Sequence, residues 1–298
     1  MRRSINLAAL GVATVAMFAP VAGAQQRDFS QVQIQSEKVA GNVHMLVSGV
    51  AGNIGVSAGA DGILIVDDQF APLADKIRAS LAGIAAGEPA FVVNTHWHGD
   101  HTGGNQVFGP KAVIVAHENV RKRLSAGSQT PGRTAPPATG AALPELTYGD
   151  SVSIHFNGEE IRVVHLPPGH TDGDSYVHFV GSKVFHLGDD FFAGRFPFVD
   201  LDSGGSVTGL TENIARLVRE IPADAKIIPG HGPLATLEDL QKFHRMLSST
   251  TDIVRKAKGS GVSIEDLKKS GLGEEWKPWS WAFIDEGRWI DIVWNSLK

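Results

Sequence analysis

Four residues able to hold a metal fall within one six-residue stretch, His96-Trp97-His98-Gly99-Asp100-His101, directly behind the apolar run Phe91-Val92-Val93. On an extended backbone residues two apart point the same way, so His96 and His98 can grip one ion. Asp100 and His101 are adjacent and would diverge on a strand. The chain must therefore turn, with Gly99 easing the bend, so that the last two face a second ion. A strand ending this way constrains the fold, because two tetrahedral-like sites need more ligands than one stretch supplies.

The remaining ligands are found at other strand ends. Pro167-Pro168-Gly169-His170-Thr171 follows the run Ile161 to Val164, Gly188-Asp189 ends the run Val184 to Leu187, and Pro229-Gly230-His231-Gly232-Pro233 follows Lys226 to Ile228. A single His beside Gly is usually structural, but together these stretches supply what two nitrogen and oxygen sites require. The chain has no Cys, which excludes thiolate metal sites, disulfides and a Cys nucleophile. Gly-x-Ser-x-Gly, the mark of a serine hydrolase elbow, is absent too.

Further short β-branched runs (Val43 to Val47, Ile63 to Val66, Ala112 to Val115, Val152 to Phe156, Tyr176 to Val180) are mostly bounded by Gly, Asn, Asp or Pro. Helical stripes lie between them: Leu73, Ile77, Leu81 and Ile84 behind Pro72; Leu210, Ile214 and Leu217; and Leu237, Leu240, Phe243, Met246 and Leu247 behind a Thr236 N-cap. In each half several strands come first, then a helix and another strand. That order predicts an α/β protein of two similar halves, packed sheet on sheet with helices outside. Residues 126–147, rich in Gly, Pro, Thr and Ala, read as a long surface loop able to act as a lid or substrate wall.

Residues 1–24 read as a secretory signal. Arg2 and Arg3 precede an apolar run from Leu7 to Val21, and Ala22-Gly23-Ala24 fits a cleavage site. The run is short for a membrane span. Cleavage leaves residues 25–298 as one domain, periplasmic or secreted, with Lys+Arg falling from 27 to 25 against 32 acidic residues, a net charge of −7. An acidic surface argues against nucleic acid as the partner.

The His-x-His-x-Asp-His stretch, followed by His170, Asp189 and His231 in that order, resembles the metallo-β-lactamase superfamily over roughly residues 40–245. The resemblance implies an αβ/βα sandwich with metals at the sheet edges. It implies two zinc ions per chain, the first on His96, His98 and His170 and the second on Asp100, His101 and His231. Asp189 would bridge both, as in the glyoxalase II-like branch, and Asp67 would support the ligand loop without being a ligand. The stretches Gly188-Asp189-Asp190-Phe191-Phe192 and Pro197-Phe198-Val199-Asp200 look like exported members that pair β-lactamase activity with a glyoxalase-like metal set. Glutathione-gripping residues have no match in the tail.

Zinc lowers the pKa of bound water to about 7, so a hydroxide nucleophile exists at neutral pH, and Asp100 can orient it. Counting Asp100, Asp189 and one hydroxide against two zinc ions leaves about +1, which favours an anionic or strongly polarised small substrate with an activated carbonyl. β-Lactam hydrolysis, an antibiotic-resistance activity, leads. A thioester, lactone or other ester hydrolase is the alternative, as is an iron-dependent sulfur-oxidising relative.

Other polar residues are assigned lesser roles. Asp190 is a rival to Asp189. His186 is a candidate support for the ligands, and Asp172 and Asp174 are read as hydrogen-bonding or solvated groups. Of the six Trp, Trp276, Trp279, Trp281, Trp289 and Trp294 crowd the last 23 residues. Trp289, Val293 and Leu297, four apart, favour a packed C-terminal helix over a stacking wall for a ligand. Phe191, Phe192, Phe196 and Phe198 follow a ligand and are candidates for the pocket lining.

Overall fold

A computed structural model describes residues 28–128 and 135–297. The expected signal segment, residues 1–24, lies outside the described residues. All the elements below belong to the compact unit Val32–Lys298.

The strands are β1 (Gln35–Ala40), β2 (Val43–Val47), β3 (Ile54–Gly59), β4 (Gly62–Val66), β5 (Pro89–Asn94), β6 (Val113–His117), β7 (Leu146–Tyr148), β8 (Ser151–Phe156), β9 (Glu159–His165), β10 (Ser175–Phe179), β11 (Val184–His186) and β12 (Lys226–Ile228). The helices are α1 (Ala74–Ala82), the short α2 (Gly99–Thr102) and α3 (Asn105–Phe108), α4 (Glu118–Ala126), α5 (Val207–Glu220), α6 (Leu237–Gly259), α7 (Ile264–Ser270) and α8 (Glu286–Ser296).

Two sheets form, one of seven strands in the order β1-β2-β3-β4-β5-β6-β7 and one of five in the order β12-β11-β10-β9-β8. In each, antiparallel strands come first and parallel pairing begins later, at β4–β5 in one sheet and β11–β12 in the other. This is the expected likeness of the two halves. Period-two alternation sends Val43, Met45, Leu64, Val66, Val93 and Val115 from the first sheet toward Ile161, Val163, Val177, Phe179 and Val184 from the second, giving a core between the sheets. Outside the second sheet, Tyr176, Phe185 and Leu187 pack with Leu210, Ile214 and Leu217 of α5, Phe243 and Met246 of α6 and Trp289 of α8. On the first sheet, α3 and α4 pack against β5 and β6. The architecture is the expected αβ/βα sandwich.

The expected helices are present with shifted ends. α1 stops at Ala82, short of Ile84. Thr236 caps α6 as expected and forms a reciprocal capping box with Asp239. Three strands escaped the sequence reading: β1 is polar and mostly exposed, β3 is broken by Gly and Ala, and β7 has three residues. β7 corrects the reading of 126–147 as loop throughout, because its backbone pairs with β6. A 3-10 turn also forms at Gly140–Ala142, and residues 129–134 lie outside the description.

Register places the functional stretches together. β4 and β5 are parallel with Val66 beside Val93, so Asp67 and His96 leave from one edge. In the second sheet His165 pairs with Ser175, Val177 with His186, and His186 with Ile228. The turns carrying His170, Asp189 and His231 therefore leave from a common edge as well.

Candidate metal centre

All seven expected ligands converge, although they come from four separate stretches of chain. His96, His98, His170 and Asp189 place ligand atoms within 4.8 Å of one another, and Asp100, His101 and His231 do the same. Asp189 faces both groups. Its Oδ2 lies 3.8 Å from His96 Nε2 and 3.5 Å from His170 Nε2, while Oδ1 lies 3.1 Å from His101 Nε2 and 3.4 Å from His231 Nε2. Asp100 Oδ2 is 3.4 Å from His231 Nε2.

The local route differs from the expected one. Residues 95–97 form a bend rather than a strand, and His98 is the N-cap of α2. Asp100 and His101 thus sit on a helical turn that starts at Gly99. A Cβ on Gly99 would meet nothing within 4 Å, so that position does not need its glycine for space. Gly188 does: its φ is +52°, and an added Cβ would lie 2.7 Å from Thr95 Oγ1. Gly230 is needed for close approach, since a Cβ there would stand 2.1 Å from Asp189 Oδ1.

Four of the histidines are fixed by their second ring nitrogen. His101 Nδ1 lies 2.7 Å from Asp67 Oδ2, His170 Nδ1 2.7 Å from the Phe198 carbonyl, His98 Nε2 2.8 Å from Asp200 Oδ2, and His96 Nδ1 3.1 Å from Thr95 Oγ1. The Thr95 hydroxyl and backbone N–H both donate to Asp67, each at 2.8 Å. Asp67 thereby orients His96 and His101 together, the support expected of it. His231 is placed through its backbone: its carbonyl accepts from Ala193 N–H, and Gly230 N–H donates to the Gly188 carbonyl at 2.7 Å. Asn53 clamps the same loop from the facing sheet, donating through Nδ2 to the Pro229 and Gly232 carbonyls.

With those outer nitrogens donating, the inner ones present lone pairs. His98 Nδ1 and His170 Nε2 then face each other at 2.9 Å. His96 Nε2, His101 Nε2 and Asp189 Oδ1 are buried with no hydrogen-bond partner. Buried polar atoms are rarely left unpaired, and nitrogen and carboxylate donors aimed at common points fit divalent cations.

The charge pattern agrees. Burial opposes a charged His231, but Asp189 and Asp100 outweigh it and raise the imidazole to about 9. His101 is raised in the same way against burial, by Asp189, Asp67 and Asp100. Burial drives His170 down to about 4 and His96 well below the ordinary range. Asp189 is buried, yet His101 and His231 hold it well below the usual carboxylate range. Positive charge is thus drawn to the group built on Asp100, His101 and His231, by protons or by a cation.

The lesser assignments separate cleanly. Asp190 stands in neither ligand group and meets Asn213 instead. Asp174 accepts from Thr171 N–H and Oγ1 and holds the His170 turn. Asp172 is tied to Arg123 by two contacts of 2.6 Å. His186 accepts the Gly188 N–H and donates to the Asn53 carbonyl, so it props the Asp189 turn without touching a ligand atom. A cavity of about 370 Å³ beside the centre is lined by Trp97, Arg123, Asp172, Asp200 and Ser203, with Ala126, Gly127 and Ser128 as one wall.

Sequence reasoning missed Thr95 and Asn53, quoted Asp200 without a role, and grouped Trp281 with the packed C-terminal tail. Trp281 lies 6.2 Å from the His231 ring and 6.2 Å from Phe192, which itself stacks on His231 at 5.0 Å. Helical spacing identified the buried Trp289 but carried no information on Trp281, which lies between helices.

The family model described as "Metallo-beta-lactamase superfamily" matches residues 52–231. Among curated proteins, the chain is 25% identical over 244 residues to the 2,4-dinitroanisole O-demethylase subunit alpha of Nocardioides sp. (strain JS1661), covering 78% of this chain and 69% of that protein. It is 29% identical over 168 residues to a hydroxyacylglutathione hydrolase of Gloeobacter violaceus, covering 55% of this chain and 57% of that one. The chain thus spans little more than half the length of that hydrolase. Of solved structures, a metallo-beta-lactamase from Pontibacter korlensis has a TM-score of 0.58 at 19% identity, over 72% of this chain and 99% of that one. The sec-alkylsulfatase Pisa1 from Pseudomonas sp. has a TM-score of 0.70 at 14% identity, over 89% of this chain and 50% of that one. These structural likenesses speak to the fold.

Proposed function

Starting from the premise that the chain belongs to the metallo-beta-lactamase superfamily of metal-dependent hydrolases, we propose that it is an exported di-zinc hydrolase of small molecules with an activated acyl bond, the β-lactam ring first among them. The observation that carries the two-metal hydrolase part of this reading is the two-faced Asp189, one oxygen toward each ligand group, and the choice of the β-lactam ring rests on the expected export. His96, His98 and His170 would hold one zinc, Asp100, His101 and His231 the other, and Asp189 both.

When bound, the zinc pair supplies Lewis-acid polarisation of a carbonyl and a bound water acidic enough to ionise near neutral pH. The chain supplies the rest. Asp67, Thr95, Asp200 and the Phe198 carbonyl fix the imidazole orientations, which removes reorganisation from the reaction. At 27% side-chain exposure, Asp100 is the most accessible of the seven, so substrate and water reach it first. Its carboxylate orients the attacking water. Export rests on residues 1–24 alone.

A thioester substrate is the second reading. It is favoured by Asp189 standing between the ligand groups and by the similarity to hydroxyacylglutathione hydrolases. Elemental analysis joined to a turnover panel tests both: a chromogenic cephalosporin, a glutathione thioester, a lactone and, from the demethylase relative, 2,4-dinitroanisole. The expected outcome is zinc near two per chain and cephalosporin turnover above a chelator-treated control. Thioester turnover without cephalosporin turnover selects the second reading, and iron in place of zinc contradicts both.

A further inference from the structure

The C-terminal segment between the 3-10 turn at Glu274–Trp279 and α8 runs over the metal centre. Its Trp281 reaches His231 and is pinned there, its indole N–H donating to the Phe196 carbonyl at 2.9 Å. Phe283 stands 5.5 Å from Trp281 and 5.8 Å from Phe198, and Phe198 lies 5.9 Å from His170 and 6.0 Å from His98. These rings form a continuous aromatic shelf along the ligand groups. Phe283 is 43% exposed, one of four exposed large hydrophobic side chains among the described residues.

Two guanidinium groups lie on this shelf. Arg195 is 5.2 Å from the Trp281 ring, and Arg288 is 4.3 Å from Phe283 and 5.9 Å from Phe198. Arg288 donates to the Phe283 carbonyl at 2.7 Å, and the nearby Asp285 carboxylate is used by the Arg288 backbone N–H instead. Among the described residues, no ion pair engages either side chain, whereas Arg78, Arg123, Arg162, Arg216 and Arg255 are each paired with a carboxylate. Arginine placed over aromatic rings keeps donors available for a carboxylate.

We propose that Trp281, Phe283, Arg195 and Arg288 form the substrate-recognition shelf of this centre. Its ligand class is a small organic anion whose flat apolar body lies on Trp281 and Phe283 and whose carboxylate meets the guanidinium edges. The inference rests on the hydrolase reading for its meaning, but it is tested by binding. The probes are 2-naphthoate and its neutral counterpart 2-naphthamide, titrated calorimetrically into the full chain, both zinc-loaded and chelator-treated.

The wild type is expected to bind 2-naphthoate at least about tenfold tighter than 2-naphthamide in both metal states, the scale of one charge-assisted contact. Arg288→Gln, at an exposed position, and Arg195→Gln should remove that discrimination while leaving 2-naphthamide binding in place. Trp281→Leu should weaken both probes, with its thermal melt confirming the fold. Equal affinity for the two probes, no binding of 2-naphthoate, or unchanged discrimination in both arginine variants overturns the proposal. Discrimination present only with zinc and insensitive to the arginines means that the carboxylate is captured by metal, which overturns it as well. Loss of the hydrolase reading is recognised separately, as absence of bound metal and of turnover while the chelator-treated protein still discriminates.

Discussion

His98 Nε2 lies 2.8 Å from Asp200 Oδ2, an oxygen that also accepts the Ser203 hydroxyl at 2.8 Å. Donation to this buried carboxylate fixes the His98 tautomer and turns Nδ1 inward, toward His170. Removing such an outer partner commonly costs about 10–100-fold in metal affinity or activity. Asp200→Ala is expected to lower zinc affinity by that order, and Asp200→Asn, whose amide oxygen still accepts, by less. Competition with a chromogenic chelator measures both, and equal affinities in wild type and Asp200→Ala would remove the assignment.

Asp189 and Asp190 are neighbours with opposite expected phenotypes. Asp189 Oδ1 and Oδ2 face the two ligand groups, whereas Asp190 meets Asn213. Asp189→Ala should lower metal occupancy at both positions and activity with it. Asp190→Asn should keep two metals per chain. Elemental analysis of the two purified variants decides, and full occupancy in Asp189→Ala would end the bridging role.

Gly230→Ala would drive a methyl to 2.1 Å from Asp189 Oδ1, in a loop held on one side by Gly188 and on the other by Asn53. Overpacking of this kind costs about 1–3 kcal/mol. A lower melting temperature and weakened metal retention are expected. Gly99→Ala, with open space around its Cβ, should leave both measurements near wild type.

The metal-free protein should be sensitive to mild alkali. His231 is raised from 6.5 to about 9 because Asp189 and Asp100 outweigh burial. A base whose folded value is raised stabilises the fold fully below its unfolded value, and that contribution is lost as pH climbs through the folded one. Between pH about 6.5 and about 9 the chelator-treated protein should therefore lose stability. Zinc displaces the same protons, so the loaded protein should show a smaller change, and zinc uptake near neutral pH should release protons. Thermal melts across that range and calorimetry in buffers of different ionisation enthalpy check the two statements.

The export expectation has its own test. N-terminal sequencing of the protein from a periplasmic extract should begin at Gln25, after the Ala22-Gly23-Ala24 site. A chain retaining Met1, or found only in the cytoplasm, contradicts it.

The ligands were legible because His170, Asp189 and His231 each stand beside a Gly after an apolar run, and His96, His98, Asp100 and His101 crowd one six-residue stretch behind another, and short apolar runs are displayed directly by a sequence. The order of the strands was legible for a similar reason, since apolar alternation in Val43 to Val47 or Ile161 to Val164 survives without partners. The groups that orient the ligands were harder to see. Asp200 reaches His98 across 102 residues, and Asn53 reaches Pro229 across 176, through contacts that only the folded chain creates. The tail shows the same division. Trp289, on a helical stripe, is fully buried as its spacing implies, while Trp281, outside any periodic segment, lies at the rim of the centre.

Anomalous diffraction at the zinc edge, from crystals grown with the metal, tests the central claim most directly. The account predicts two peaks, one among His96, His98 and His170 and one among Asp100, His101 and His231, with the Asp189 carboxylate between them. A single peak, or two peaks with Asp189 turned away from either, would contradict it.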